Sequence, residues 1–490
     1  MSPERTLIID LPGPDLTPEQ GQLLRTHRFG GVCLFARNFS TPERTARLIR
    51  DIRDALEHDA LIATDQEGGA VLRRLDIPMP PSLQALGQLN DEAAAREAGR
   101  IAARGLIELG LNWNYAPSLD VNVNPLNPVI GDRAFGADAQ TVARLGVAWA
   151  LGSEEAGVLS SVKHFPGHGD TSQDSHLTLP VVDKPLEQLE QVEFAPFRAA
   201  VQAEVGSIMT AHIVYPALDK ERPATLSPAV LDGLLRRQWG YDGVVVTDAT
   251  DMHAIADRYP GGEAAPLALL AGADAVLSCG HGDLQTHVDH ARALQRALRD
   301  GRLSEARVQQ ARARLDRAAA RFPGTPRPYP PEQRQADDAE VDRAALRSLT
   351  RSGQTPTLDP GAPVLLIAPA SAAVGGPYGD SLSGETLADV LRSHFPQLQV
   401  ALHDGHDTAG AMALLDHFPQ APALLATTGR WALSRAEQEL AGVLAQQDRP
   451  ALHLALWNAD AAAQLPLPAL VTHGFRPANL RALGAALVAR

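Results

Sequence analysis

Residues 243–248 read GVVVTD, three β-branched apolar residues in succession followed by a hydroxyl and a carboxylate. An unbroken apolar run of that length suits a strand buried on both faces, and the abrupt change at Asp248 marks where the strand meets solvent. Working outward, seven further runs of this kind occur: RTLIIDL from Arg5, GVCLF from Gly31, LIATD from Leu61, LNWNYAPSLD from Leu111, LSSVKHF from Leu159, SIMTAHI from Ser207 and DAVLS from Asp274. Amphipathic stretches lie between them, as from Asp91 to Glu108 and from Pro185 to Glu204, each opening near an acidic residue or proline suited to a first helical turn. This alternation predicts an α/β fold with a parallel sheet. Eight units favour a TIM-type (β/α)8 barrel over an open doubly wound sheet.

A barrel carries its chemistry at the carboxyl ends of its strands. Asp65 ends the third run, Lys163 and His164 the fifth, His212 the sixth and Asp248 the seventh. After Phe322 the chain reads PGTPRPYPPEQRQ, a proline-rich stretch that favours extended backbone. We therefore divide the chain into a catalytic barrel at 1–322, a linker at 323–336 and a smaller α/β sandwich at 337–490, where PVLLIAPA, LQVALH, PALLATT, ALHLALW and PALVTH alternate with helical segments. A helix is expected from about Asp337. The glycine-rich loop at Gly375 lacks a P-loop lysine and reads as a structural turn.

With 490 residues, 44% hydrophobic and 21% charged, the chain has the composition of an ordinary globular protein long enough for two cores. A formal charge of -14 argues against nucleic acid or an anionic membrane as partner. Cys33 and Cys279 both lie in apolar stretches and are expected as buried, inert thiols. The start MSPERTLIIDLPGP lacks the features of a signal peptide, and no long unbroken apolar segment follows, so a cytoplasmic location is expected.

The densest polar stretch is KHFPGHGDTSQDSH, Lys163 to His176, whose glycines and proline exclude a regular helix. A metal site is one reading, although no HExxH-type spacing is present. The other is an acid/base loop, in which Asp174 fixes the tautomer of His176 across one residue. For His168 the reading is solvent exposure or a turn-stabilising hydrogen bond. In TDQEGG, Asp65 is placed to accept from two neighbouring hydroxyl donors, with a helix N-cap as its alternative role. Asp251, three residues past Asp248, is expected to cap the next helix.

Together, KHFPGHGDTSQDSH, DQEGG, NPVIGDRAFG and VVVTD resemble the β-N-acetylglucosaminidases of glycoside hydrolase family 3. The likeness covers most of residues 1–322, and the remainder is similar to the sandwich of two-domain members. Carried over by position, it implies that Asp65, Arg73, Arg133, Lys163 and His164 hold the sugar, that Asp248 attacks carbon 1, and that His176 donates the proton with Asp174 orienting it. It implies no metal and no cofactor. Two positions depart from the pattern: Ala70 follows the glycines where many relatives read DQEGGR, and Ala249 replaces a second acid common in bacterial relatives.

The resemblance implies a retaining exo-β-N-acetylglucosaminidase acting on N-acetylglucosaminides such as cell-wall muropeptide fragments. Retaining hydrolysis ordinarily uses two carboxylic acids about 5 Å apart. With histidine in place of one of them, an anionic acceptor meets less repulsion, so phosphorolysis stands beside hydrolysis. A β-glucosidase or xylosidase on the same scaffold and a non-catalytic sugar-binding protein are the remaining alternatives.

Overall fold

The computed structural model describes residues 2–125, 127, 129–171, 179–371, 382–430 and 433–488. All eight apolar runs become strands: β1 (Leu7–Asp10), β2 (Gly31–Cys33), β3 (Leu61–Thr64), β4 (Trp113–Asn114), β5 (Leu159–Phe165), β6 (Ser207–Thr210), β7 (Val244–Val246) and β8 (Val276–Ser278). They pair in parallel in the order β8-β1-β2-β3-β4-β5-β6-β7, and a bridge from Val246 to Ala275 closes the ring.

The continuous hydrophobicity of the runs has a direct cause, because successive side chains enter two different cores. Ile8, Leu61, Ala63, Val244 and Val246 point into the barrel, while Leu7, Ile9, Ile62 and Val245 point to the surrounding helices. Cys33 and Cys279 are free thiols within the barrel interior, as expected. Leu315, Ala318, Ala319 and Phe322, from the end of helix Glu305–Arg321, seal that interior beside the strand beginnings, where Asn112 donates to the Phe322 carbonyl at 2.7 Å.

The long fourth run yields only a two-residue strand. Asn112 and Asn114 side chains there replace ladder bonds, accepting from the Ile62 and Gln66 amides at 2.7 and 2.9 Å. The helix read from Asp91 spans Glu92–Ile107, with Asp91 as its N-cap. The stretch from Pro185 divides into two helices, Leu186–Gln191 and Phe194–Gln202.

The helix expected from about Asp337 begins earlier, at Pro331, and runs to Arg347. Proline suits a first helical turn because its missing N–H has no acceptor there. The extended part before it is pinned: Arg104 holds Asp337 with two bonds of 2.7 Å, and the Tyr329 hydroxyl donates to the same carboxylate at 2.6 Å.

A second sheet follows, made of β9 (Thr350–Ser352), β10 (Val364–Pro369), β11 (Leu398–His403), β12 (Ala423–Thr427), β13 (Ala451–Ala455) and β14 (Ala469–Val471). Its order is β9-β14-β13-β12-β10-β11, parallel except for β9. Leu366, Leu424 and Leu454 face one helical layer and Leu365, Ile367 and Leu425 the other, so this is an α/β sandwich. The polar edge strand β9 carries no apolar pattern and was not anticipated. Among the described residues, no helix is long and apolar enough to cross a membrane.

Candidate active site

The chain leaves β3 at Asp65 and returns to Arg73 through a turn organised by one buried side chain. Gln66 accepts from the Arg73 and Arg74 amides at 3.0 Å each and donates to the Arg74 carbonyl at 2.8 Å, which brings Arg73 back alongside Asp65. Gly68 and Gly69, at φ 115° and 55°, make the turn possible. A Cβ at Gly68 would lie 2.3 Å from the Pro81 carbonyl oxygen and one at Gly69 2.5 Å from Ser82 Cβ, so both positions are closed to other residues.

Lys163, from the end of β5, lies inside this turn. Its Nζ is 2.8 Å from Asp65 Oδ1 and 2.6 Å from Glu67 Oε1. Arg133 holds Glu67 through two parallel bonds of 2.9 Å, and Arg73 reaches Asp65 Oδ2 at 3.4 Å. Glu67 is 1% exposed and Asp65 15%, so Asp65 is the more accessible carboxylate of the cluster.

Burial alone would raise both acids. Arg133 and Lys163 instead bring Glu67 down to about 2, and Lys163 and Arg73 hold Asp65 below the usual range. Burial pushes Lys163 down, but Asp65 and Glu67 together raise it above its ordinary value. All three groups are therefore ionised at neutral pH. The arrangement is a fixed set of donors and acceptors suited to neutral hydroxyls.

His164 faces Arg133 and Asp120. Arginine can only donate, so the 3.4 Å contact from Arg133 Nη2 meets a lone pair on His164 Nε2, leaving the proton on Nδ1, which faces Asp120 Oδ2 at 2.7 Å. Asp120 also accepts from the His164 and His168 amides at 3.2 and 2.6 Å and from Ser118 Oγ at 2.9 Å. Burial opposes ionisation of Asp120, but the His164 ring and His168 outweigh it and hold the carboxyl far below the carboxylate range. His168 is buried, not exposed to solvent, and bonds Thr171 Oγ1 at 2.8 Å, in agreement with the turn-stabilising alternative; burial with His164 nearby lowers it to about 4. Asn127 donates to the His168 carbonyl at 2.8 Å, tying the NPVIGDRAFG segment to this loop.

Asp248 stands two residues beyond β7, half-buried, with its Oδ1 accepting from the Ala249 amide at 2.8 Å. The neighbouring backbone is held on both sides. Thr247 Oγ1 accepts from the Leu277 amide at 3.0 Å, and the Thr250 amide donates to the Leu277 carbonyl at 3.0 Å. His212 reaches the Ala249 carbonyl with Nε2 at 2.8 Å, and because a carbonyl only accepts, the proton is on Nε2 and the Thr225 hydroxyl at 2.8 Å serves Nδ1.

Asp251 is not a helix cap, since the next helix, His253–Ala256, starts after Met252. It instead pairs with His281 at 2.6 Å, and burial raises its carboxyl. Asp65 caps no helix either.

The structure thus brings Asp65, Arg73, Arg133, Lys163 and His164 into one connected cluster at the strand ends, with Asp248 on the same rim. Asp174, His176 and the loop at Gly375 lie outside the described residues. Three participants were not singled out from sequence. Glu67 stands within the quoted DQEGG, Asp120 ends the fourth run, and only Arg476, which reaches the same turn from the second domain, leaves no local signal. Among the described residues, no group of three or more His, Cys, Asp or Glu is arranged to hold a metal ion.

Residues 8–318 match the N-terminal domain of glycosyl hydrolase family 3. Beta-hexosaminidase A of Pseudoalteromonas piscicida is 34% identical over 391 residues, covering 72% of this chain and 65% of that protein. The beta-hexosaminidase of Thiobacillus denitrificans is 38% identical over 291 residues, 58% of this chain and 80% of its own length. Among solved structures, the family 3 beta-N-acetylglucosaminidase of a Paenibacillus strain superposes with a TM-score of 0.91 at 32% identity, covering 99% of this chain and 96% of that one.

Proposed function

The chain belongs to glycosyl hydrolase family 3, and from that premise we propose that it is a β-N-acetylhexosaminidase that releases terminal N-acetylglucosamine from β-linked substrates with retention of configuration. The observation that carries this reading is the buried ionic cluster that presents Asp65, with its positions held by Lys163, Arg73 and Glu67, on the same strand-end rim as Asp248. A sugar ring needs several directional partners at once, and the ion pairs within the cluster fix these groups relative to one another.

In this reading Asp248 attacks carbon 1 and forms a glycosyl ester, which the acceptor then cleaves. Two contacts support Asp248: the Ala249 amide on its Oδ1, and His212 holding the adjoining carbonyl. Asp65 accepts from sugar hydroxyls, while Arg73, Arg133 and Lys163 supply donors and positive potential. His176, oriented by Asp174, protonates the departing oxygen and later takes a proton from the acceptor; these two assignments rest on the motif alone. Inorganic phosphate is an alternative acceptor to water, and cell-wall muropeptide fragments met in the cytoplasm are the proposed natural substrates.

The test is turnover of 4-nitrophenyl N-acetyl-β-glucosaminide with and without phosphate, beside the corresponding glucoside. Asp248→Ala is expected to lower kcat by on the order of 10⁴-fold or more, since no other carboxylate is assigned to carbon 1. His176→Ala should lose less on this substrate than on a disaccharide, because 4-nitrophenolate departs with little proton assistance. A large preference for the glucoside would overturn the substrate assignment. A fluorinated donor trapped on Asp65 in place of Asp248 would overturn the nucleophile.

A further inference from the structure

The turn that carries Asp65 and Glu67 is held from outside the barrel. Arg476, between β14 and helix Pro477–Val488, is 7% exposed and donates from Nε to the Gly69 carbonyl at 2.7 Å and from Nη2 to the Ala70 carbonyl at 3.0 Å. The Phe475 ring lies against its guanidinium, 4.8 Å from centroid to Cζ. Beside it, Ser82 Oγ donates to the His473 carbonyl at 2.5 Å. Ala70 and Val71 belong to the core of the second domain, packed with Leu358, Leu454 and Phe475.

Gln66 organises the two ends of this turn, but its tip consists of two left-handed glycines with no side chains to hold it, and glycine gives the backbone many alternatives. Two successive carbonyls also need donors when buried. One planar guanidinium fork serves both at once, which a lysine's single ammonium point does not do equally well. Gly69 lies two residues from Glu67 and Ala70 three from Arg73, so any shift here reaches the cluster directly. The chain also has alanine at 70, leaving the turn no cation of its own at that position.

We propose that Arg476 is a positioning residue through which the C-terminal domain fixes the Asp65–Arg73 turn, so that the sugar-holding site is complete only when that domain is docked. This rests on the assignment of Asp65, Arg73 and Lys163 to the sugar. In this arrangement Arg476 acts through the backbone carbonyls of Gly69 and Ala70.

The experiment uses the full-length protein, with Arg476→Ala, Arg476→Lys and, as a surface control, Arg481→Ala. Kinetics on 4-nitrophenyl N-acetyl-β-glucosaminide are measured together with hydrogen exchange of the peptide spanning 65–73 and the melting temperature. Arg476→Ala is expected to lower kcat/KM by roughly 30-fold through misplacement of the cluster, with faster exchange at 65–73 and a melting temperature within a few degrees of the parent. Guanidinium chloride at low millimolar concentration should restore part of both kcat/KM and protection in Arg476→Ala and do nothing for Arg481→Ala. Arg476→Lys should fall between, and it carries the same two readouts if the alanine variant does not fold. Parent-like kinetics in a folded Arg476 variant, or unchanged exchange at 65–73, would overturn the proposal. If the unmodified protein itself leaves the substrate intact, the proposed substrate is wrong, and the exchange measurement still decides whether Arg476 holds the turn.

Discussion

Glu67 and Asp132 are both carboxylates taken out of water, at 1% and 5% exposure, and both have Arg133 as a neighbour, yet the fold treats their protons oppositely. For each, burial is the largest influence and favours the neutral acid. Glu67 overcomes it because Arg133 grips both of its oxygens and Lys163 adds a bond of 2.6 Å, and its pKa falls to about 2. Asp132 sits at the junction with the second domain, beside the Trp457 indole and under the weaker pull of Arg430 and Arg133, and its pKa rises to about 6. Arg133 turns its Nε–Nη2 edge to Glu67 and exerts only a weaker attraction on Asp132. Inside the barrel rim the charges are closed into a set; at the domain junction, among the described residues, no cation grips Asp132 as Arg133 grips Glu67.

The strongest way to break this contrast is to remove the cation that Asp65 and Glu67 share. Lys163→Met leaves Asp65 and Glu67 facing each other without it, and should cost about 3–5 kcal/mol of stability by denaturant unfolding as well as most activity. Adding Glu67→Gln to that variant should return part of the stability and none of the activity, because the donor proposed for the sugar is not replaced. Equal stability of the parent and Lys163→Met would mean that the cluster is not energetically closed.

Next in size is the acid limb of stability. The Glu67 carboxyl is depressed from 4.5 to about 2, so its contribution is fully present above pH 4.5 and is lost as pH falls towards 2. Over that window the loss amounts to roughly 3 kcal/mol. Glu67→Gln should flatten that part of the stability profile, at the cost of lower stability near neutrality. Asp132 has the opposite sign: raised from 3.8 to about 6, it favours the folded state below pH 3.8 and loses that advantage as pH rises through 6. Asp132→Asn should therefore raise stability at pH 7.5, by roughly 1–3 kcal/mol, and change little at pH 3.5. A destabilised Asp132→Asn at pH 7.5 would show that the junction is better satisfied than its geometry indicates.

The smallest effect is expected at the surface. Arg481 and Asp342 form a 2.5 Å pair between two helices of the second unit, both about half exposed. Arg481→Ala should change unfolding free energy by less than about 1 kcal/mol, since water and salt screen such pairs.

Much of this contrast was hidden in the sequence for a definite reason. Glu67 is visible within DQEGG, but its partners are 66 and 96 residues away, at Arg133 and Lys163, and nothing local marks Asp132 as different from its neighbour. The polar edge strand β9 and the early start of the helix at Pro331 were missed because neither depends on the apolar period that reveals the other elements. The reading of Asp251 as a cap failed for the same kind of reason, since its actual partner, His281, lies on the next strand-end loop.

The sequence by itself determined the eight barrel strands, the five parallel strands of the second sheet and the strand-end positions of Asp65, Lys163, His164 and Asp248, because burial on both faces writes an apolar run that short-range patterning preserves. Tertiary structure alone decided which charges meet. Arg133 could have served Glu67 or Asp132, and Arg476 reaches Gly69 across 407 residues of chain. Electrostatic and hydrogen-bond energies depend on distances of a few ångströms and on the water excluded around them, and only the folded chain sets those.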